Sequence, residues 1–153
     1  MRSLFGLGGI NINNKKIENE VEKTNKDINE LFKEFIYPEA HILHSLNLER
    51  ATNLIKRILK DIEEHKKLLK SRRYNIHNFQ EVNELENSIK ELIKKLEKDH
   101  ELIKQLINQN QRVEINKIIE KDIKPELLKI RNSWDIHINK LYRLKIIKNE
   151  HKI

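Results

Sequence analysis

The stretch LERATNLIKRILKDIEEHKKLLKSRR, Leu48 to Arg73, decides the fold. Leu48, Ala51, Ile55, Ile58, Ile62, His65 and Leu69 follow one another at unbroken steps of three and four residues. That spacing lays one stripe along a 3.6-residue helix and leaves Glu, Lys and Arg on the opposite face. An amphipathic helix of this length must bury its stripe against similar helices. Working outward, the same pattern recurs on both sides. Upstream, Ile17, Val21, Ile28, Leu31 and Phe35 mark a helix that should stop before Pro38, because the residue preceding proline disfavours the α region. Downstream, Val82, Leu85, Ile89, Ile93, Leu96, His100, Ile103 and Ile107 mark a third helix. A fourth begins near Val113, is interrupted at Pro125, and continues through Leu127, Ile130, Trp134, His137, Leu141 and Leu144.

All three glycines fall within the first nine residues, so few breakers oppose helix elsewhere. Short polar turns at about residues 75–78 and 109–112 make sequence neighbours antiparallel. The expectation is an all-α, antiparallel up-and-down bundle of about four long helices. It spans residues 15–153 as one domain, preceded by a flexible N-terminal segment, residues 1–14.

The chain has no cysteine, which excludes disulfide frameworks, thiolate zinc sites and cysteine nucleophiles. No apolar run is long enough to span a membrane. The stretch Leu4 to Ile10 lacks the small-residue cleavage site of a signal peptide, and a cytoplasmic location is expected. No phosphate loop, glycine-rich nucleotide fingerprint or zinc-finger spacing is present.

The formal net charge is +7. Its distribution is uneven: Lys124, Lys129, Arg131, Lys140, Arg143, Lys145, Lys148 and Lys152 crowd the last thirty residues, against Glu126, Asp135 and Glu150. A second cluster is Lys66, Lys67, Lys70, Arg72 and Arg73. If the two regions are neighbours in the fold, they form a basic face suited to nucleic acid.

Of the seven histidines, His65, His100 and His137 occupy inner stripe positions. A di-iron bundle would use inward histidines and carboxylates on facing helices. Counting residues back from the turns sets His65 opposite roughly residue 87, and His100 opposite roughly residue 122. Histidines on adjacent helices thus sit at different levels. Glu97 and His100 give one Glu-x-x-His pair where a bridged site needs two, and His41 and His44 lie close together near Pro38 without evident carboxylate partners. No metal site and no cofactor are expected.

The segment Ile130-Arg131-Asn132-Ser133-Trp134-Asp135-Ile136-His137 carries the clearest functional signal. Arginine is followed at once by asparagine and, after five intervening residues, by histidine, on the last amphipathic helix of a small bundle. Here the chain resembles the HEPN superfamily (higher eukaryotes and prokaryotes nucleotide-binding domains), over about residues 40–148. The resemblance implies RNA binding or metal-independent RNA cleavage at a site shared across a homodimer. It assigns catalytic roles to Arg131, His137 and Asn132. Asn139 stands where some relatives carry a tyrosine. Arginine offers a rigid cationic fork for phosphate oxygens, and histidine moves protons near neutral pH. On one ideal helix a six-residue step turns about 600°, so Arg131 and His137 point about 120° apart, and a shared site needs a second copy or a distorted turn. Lys129, Trp134, Lys140 and Arg143 are the accompanying RNA-binding candidates, Trp134 by stacking on a base.

The function expected on this resemblance is that of an RNA-binding protein, extending to an endoribonuclease of a toxin–antitoxin or defence system. The competing expectation is a non-enzymatic protein-interaction module, with an exposed apolar patch near Leu4, Phe5 and Leu7 or along the first helix; ranked below both is a metal-binding helical bundle.

Overall fold

The computed structural model describes the backbone of residues 2–35 and 48–148, and side chains from residue 15 onward within those ranges. Among the described residues there are five α-helices: α1 Arg2–Phe35, α2 Leu48–Ser71, α3 Gln80–Asn108, α4 Arg112–Ile118 and α5 Lys124–Arg143. Residues 1–14, expected as a separate arm, are helical in backbone from Arg2. His41 and His44 lie outside the described residues. No strand occurs among the described residues.

The helices pack as a ring in which α1 lies against α2, α2 against α3, α3 against α5, and α5 against α1. Directions follow from the polar contacts between them. Along α1, Glu20, Lys23, Asp27 and Glu34 pair with His65, Asp61, Arg57 and Arg50, so α2 runs opposite to α1. Along α3, Glu81 pairs with Lys140 and Lys95 with Glu126, so α5 runs opposite to α3. α2 and α5 thereby face each other across the diagonal of the bundle.

The stripe read from α2 is buried as expected: Ala51, Ile55, Ile58, Ile62, His65 and Leu69 are within 1% of full burial. On α3 the buried line is instead Val82, Leu85, Ile89, Leu92, Leu96, Asp99 and Ile103, while Ile93 and His100 are half-buried. The stripe shifts by one residue because two apolar residues, Leu92 and Ile93, compete for the inner line, and Leu92 keeps the register of Leu85 and Leu96. Leu144, expected on the α5 stripe, lies beyond the helix end and is 56% exposed; Ile146 and Ile147 turn back into the core instead.

Pro125 explains the broken fourth helix. It has no amide hydrogen and its ring crowds the carbonyl four residues earlier. The chain answers with a π-helical segment, Ile119–Ile123, in which the Lys124 amide bonds the Ile119 carbonyl; α5 then starts with proline in its first turn.

Three helix ends close without glycine. Two residues past the ends of α2, α3 and α5 stand Arg73, Asn110 and Lys145, with φ of 66°, 57° and 59°. In each, the next residue's amide reaches back across the last turn: Tyr74 to Leu69, Gln111 to Leu106, and Ile146 to Leu141. This is the Schellman arrangement, usually built on glycine. Asparagine tolerates the left-handed region; arginine and lysine do so at a cost of about 1 kcal/mol.

Candidate functional site

The polar heart of the bundle is a chain of contacts drawn from all four long helices. Glu20 of α1 lies 3.0 Å from His65 Nδ1 on α2. His65 Nε2 meets His137 Nε2, on α5, at 2.7 Å. His137 Nδ1 meets Glu81 Oε2, on α3, at 2.8 Å. Lys140, one turn along α5, donates to Glu81 Oε1 at 2.8 Å and to the carbonyl of Asn78 at 2.6 Å. Asn78 ends the short 3-10 turn Ile76–Asn78, whose start is capped by the Asn75 side chain accepting from the His77 amide.

Both imidazoles are enclosed by apolar edges. His137 packs edge-on to Phe79 and lies beside Trp134, with ring centres 5.6 and 6.0 Å away. Trp134 is fixed in turn by donating its indole N–H to Asn25 of α1 at 3.0 Å. Burial drives the His137 pKa down to about 4, against the opposing pull of Glu81. Burial alone would raise Glu81, but hydrogen bonds from His137 and Lys140 outweigh it and hold the carboxyl at about 2. The chain reaches solvent only at its ends, through the partly exposed side chains of Glu20 and Lys140.

These positions separate the residues assigned from sequence. His137 is fully buried, with both ring nitrogens engaged inside the protomer. Arg131 stacks its guanidinium over Phe32 of α1, 5.4 Å from the ring centre, on another side of α5. Asn132 is exposed. The protomer therefore does not bring Arg131 and His137 to one surface. Trp134, expected to stack on a base, is 1% exposed and belongs to the core. Lys140 is committed to Glu81, and Lys129 to Glu126 at 3.3 Å. Arg143 is exposed. His65, Glu20 and Glu81 were not singled out from the sequence as a group; His65 reads as one more stripe position, and neither glutamate sits in a motif.

An acidic pair, Asp99 and Asp122, links α3 to the π segment. Asp99 is buried, and burial together with the hydrogen bond that its protonated form donates to Asp122 raises its pKa to about 6. Asp61, close to Asp27, is raised for the same kinds of reason, with Lys23 pulling the other way.

The basic residues gather elsewhere. Because α1, α2, α3 and α5 alternate in direction, the end of α2, the turn into α3, and the end of α5 share one end of the bundle, as the Lys140–Asn78 bond records. Lys67, Lys70, Arg72 and Arg73 thus lie at the same end as Arg143, Lys145 and Lys148, and none of these seven is in a salt bridge among the described residues. Tyr142, 42% exposed, and half-buried Tyr74 lie among them. Among the described residues no helix is long and apolar enough to cross a membrane. Comparison with protein-family models, curated proteins and solved structures gives no significant match.

Proposed function

We propose that this chain binds RNA through the basic end of the bundle, as a non-catalytic protein. The observation that carries the reading is the placement of two basic segments, 67–73 and 143–148, at one end of the bundle although they are far apart in sequence. Unpaired lysines and arginines on one surface are the electrostatic footprint of a phosphate-binding face, and exposed tyrosine beside them suits an unpaired base. Arg73 and Lys145 add support. Both hold left-handed cap positions where glycine is cheaper, and both are exposed at this end; strain of this kind concentrates at functional surfaces. The HEPN-like resemblance accords with an RNA ligand. Its catalytic form asks His137 to leave a buried chain of hydrogen bonds, so binding without cleavage is the form favoured here.

The test is fluorescence anisotropy with a short labelled single-stranded RNA. Four phosphate contacts give a slope of log K against log salt of about −3. Charge reversal in Arg73→Glu/Arg143→Glu abolishes binding, while Lys117→Glu, near the opposite end, leaves it intact. Equal affinity of the two variants would sink the proposal. Incubation of RNA in excess EDTA, with Arg131→Ala and His137→Ala alongside, yields no cleavage; cleavage by the wild type that both variants lose would restore the nuclease reading.

A protein-interaction role has one observation in its favour: Leu128, Ile136 and Tyr142 are exposed along the outer face of α5. The described apolar side chains of α1, from Ile17 to Phe35, are buried and offer no such patch.

A further inference from the structure

The chain Glu20–His65–His137–Glu81 contains three contacts at hydrogen-bond distance, 3.0, 2.7 and 2.8 Å, and each requires one hydrogen. Two neutral imidazoles carry one N–H apiece. The third hydrogen is an additional proton. Without it, one contact sets two lone pairs face to face in a buried site, at the cost of an unsatisfied polar group. Charge leads to the same count: two carboxylates are balanced by Lys140 and one proton. A metal ion between the rings fits poorly, because nitrogens sharing a tetrahedral zinc at about 2.0–2.1 Å stand more than 3 Å apart, whereas these are 2.7 Å apart.

We propose that the folded bundle stores one proton in this buried four-residue chain and is thereby a built-in sensor of pH. Unfolded histidines titrate near 6.5. Well below that value the unfolded pair carries two extra protons, and well above it none; the folded chain keeps one. Folding releases a proton from this chain on the acid side and gives it one on the alkaline side, so the chain's own contribution to stability peaks near 6.5 and falls in both directions. On the alkaline side the native state binds more protons than the unfolded one, which makes the slope of stability with pH negative. The charged groups facing the chain are Glu20 and Lys23 from α1, Asp61 from α2 (paired with Lys23 at 3.2 Å), Glu81 from α3 and Lys140 from α5. The inference does not depend on RNA binding.

Glu20→Gln isolates the effect. A glutamine amide donates its own N–H to His65 Nδ1, so all three contacts are satisfied with no extra proton, while other titrating groups such as Asp61 and Asp99 remain. In denaturant unfolding between pH 6.5 and 9, the wild-type unfolding constant rises about tenfold per pH unit relative to the variant, until the stored proton is lost. Parallel curves overturn the proposal. A second measurement uses the wild type alone: refolding at pH 7.5 in weak buffer with an indicator dye takes up about one proton per chain, and uptake near zero overturns it even if the variant does not fold.

Discussion

His65 Nε2 and His137 Nε2 approach to 2.7 Å across the diagonal of the bundle, each ring held from behind by a glutamate of a different helix. The residue that looks most like a general acid–base catalyst in the sequence is thus a joint between helices. Its removal is a question of stability before it is one of chemistry.

His137→Ala leaves a cavity beside Phe79 and Trp134 and strips Glu81 of a buried partner. The expected loss is about 3–5 kcal/mol of folding stability, measured by urea unfolding near neutral pH. A loss below 1 kcal/mol would mean that the pair does not organise the core.

Trp134→Phe keeps the aromatic packing but gives up the indole bond to Asn25. A cost of about 1–2 kcal/mol is expected, and Asn25→Ala made in the Trp134→Phe background should add little further loss. Additive effects in that double-mutant cycle would contradict the contact.

Glu81 is held at about 2 in the folded protein, against an ordinary value of 4.5. A depressed carboxyl contributes stability that is present above the unfolded value and lost as pH falls through the folded one. Stability should therefore decline between about pH 4.5 and 2, and Glu81→Gln should flatten that part of the acid limb. An unchanged acid limb in the variant would assign it to other groups.

Asp99 behaves in the opposite sense. Raised to about 6 from 3.8, it holds a proton in the native state that the unfolded chain releases, so stability falls as pH rises from about 4 to 6. Asp99→Asn offers an amide to Asp122 in place of the shared proton. At pH 7.5 it should be more stable than wild type by about 1 kcal/mol, read as a raised unfolding midpoint; a lower midpoint would indicate that the carboxylate is needed.

Arg73→Gly and Lys145→Gly should each stabilise the fold by up to about 1 kcal/mol, since glycine enters the left-handed region without a Cβ clash. On the proposed function the same changes weaken RNA binding, a trade of stability against function. Thermal unfolding and anisotropy on the same samples check both halves; tighter binding by the glycine variants would contradict the role given to this end.

The spacing of Leu48, Ala51, Ile55, Ile58 and Ile62, the confinement of glycine to the first nine residues and the two short turns determined an all-helical bundle, because helical periodicity is a property of one segment read along itself. The basic composition of segments 66–73 and 140–148 was legible for the same reason. Which groups meet was not. Comparing only neighbouring helices separated the histidines by level; carrying the count on through the turn near residue 111 brings His65 to roughly residue 135, within about one turn of His137. That step needs two registers and the knowledge that α2 and α5 share a diagonal, and both are fixed by packing of the whole ring. Packing also chose Asp99 over His100 for the inner line of α3, and left His137 inside a core where the motif pointed to a surface. Local chemistry thus fixed the helices and their charges, while only the tertiary structure decided which charges are paired and which face water, because pairing depends on the relative height and rotation of helices that the chain visits far apart.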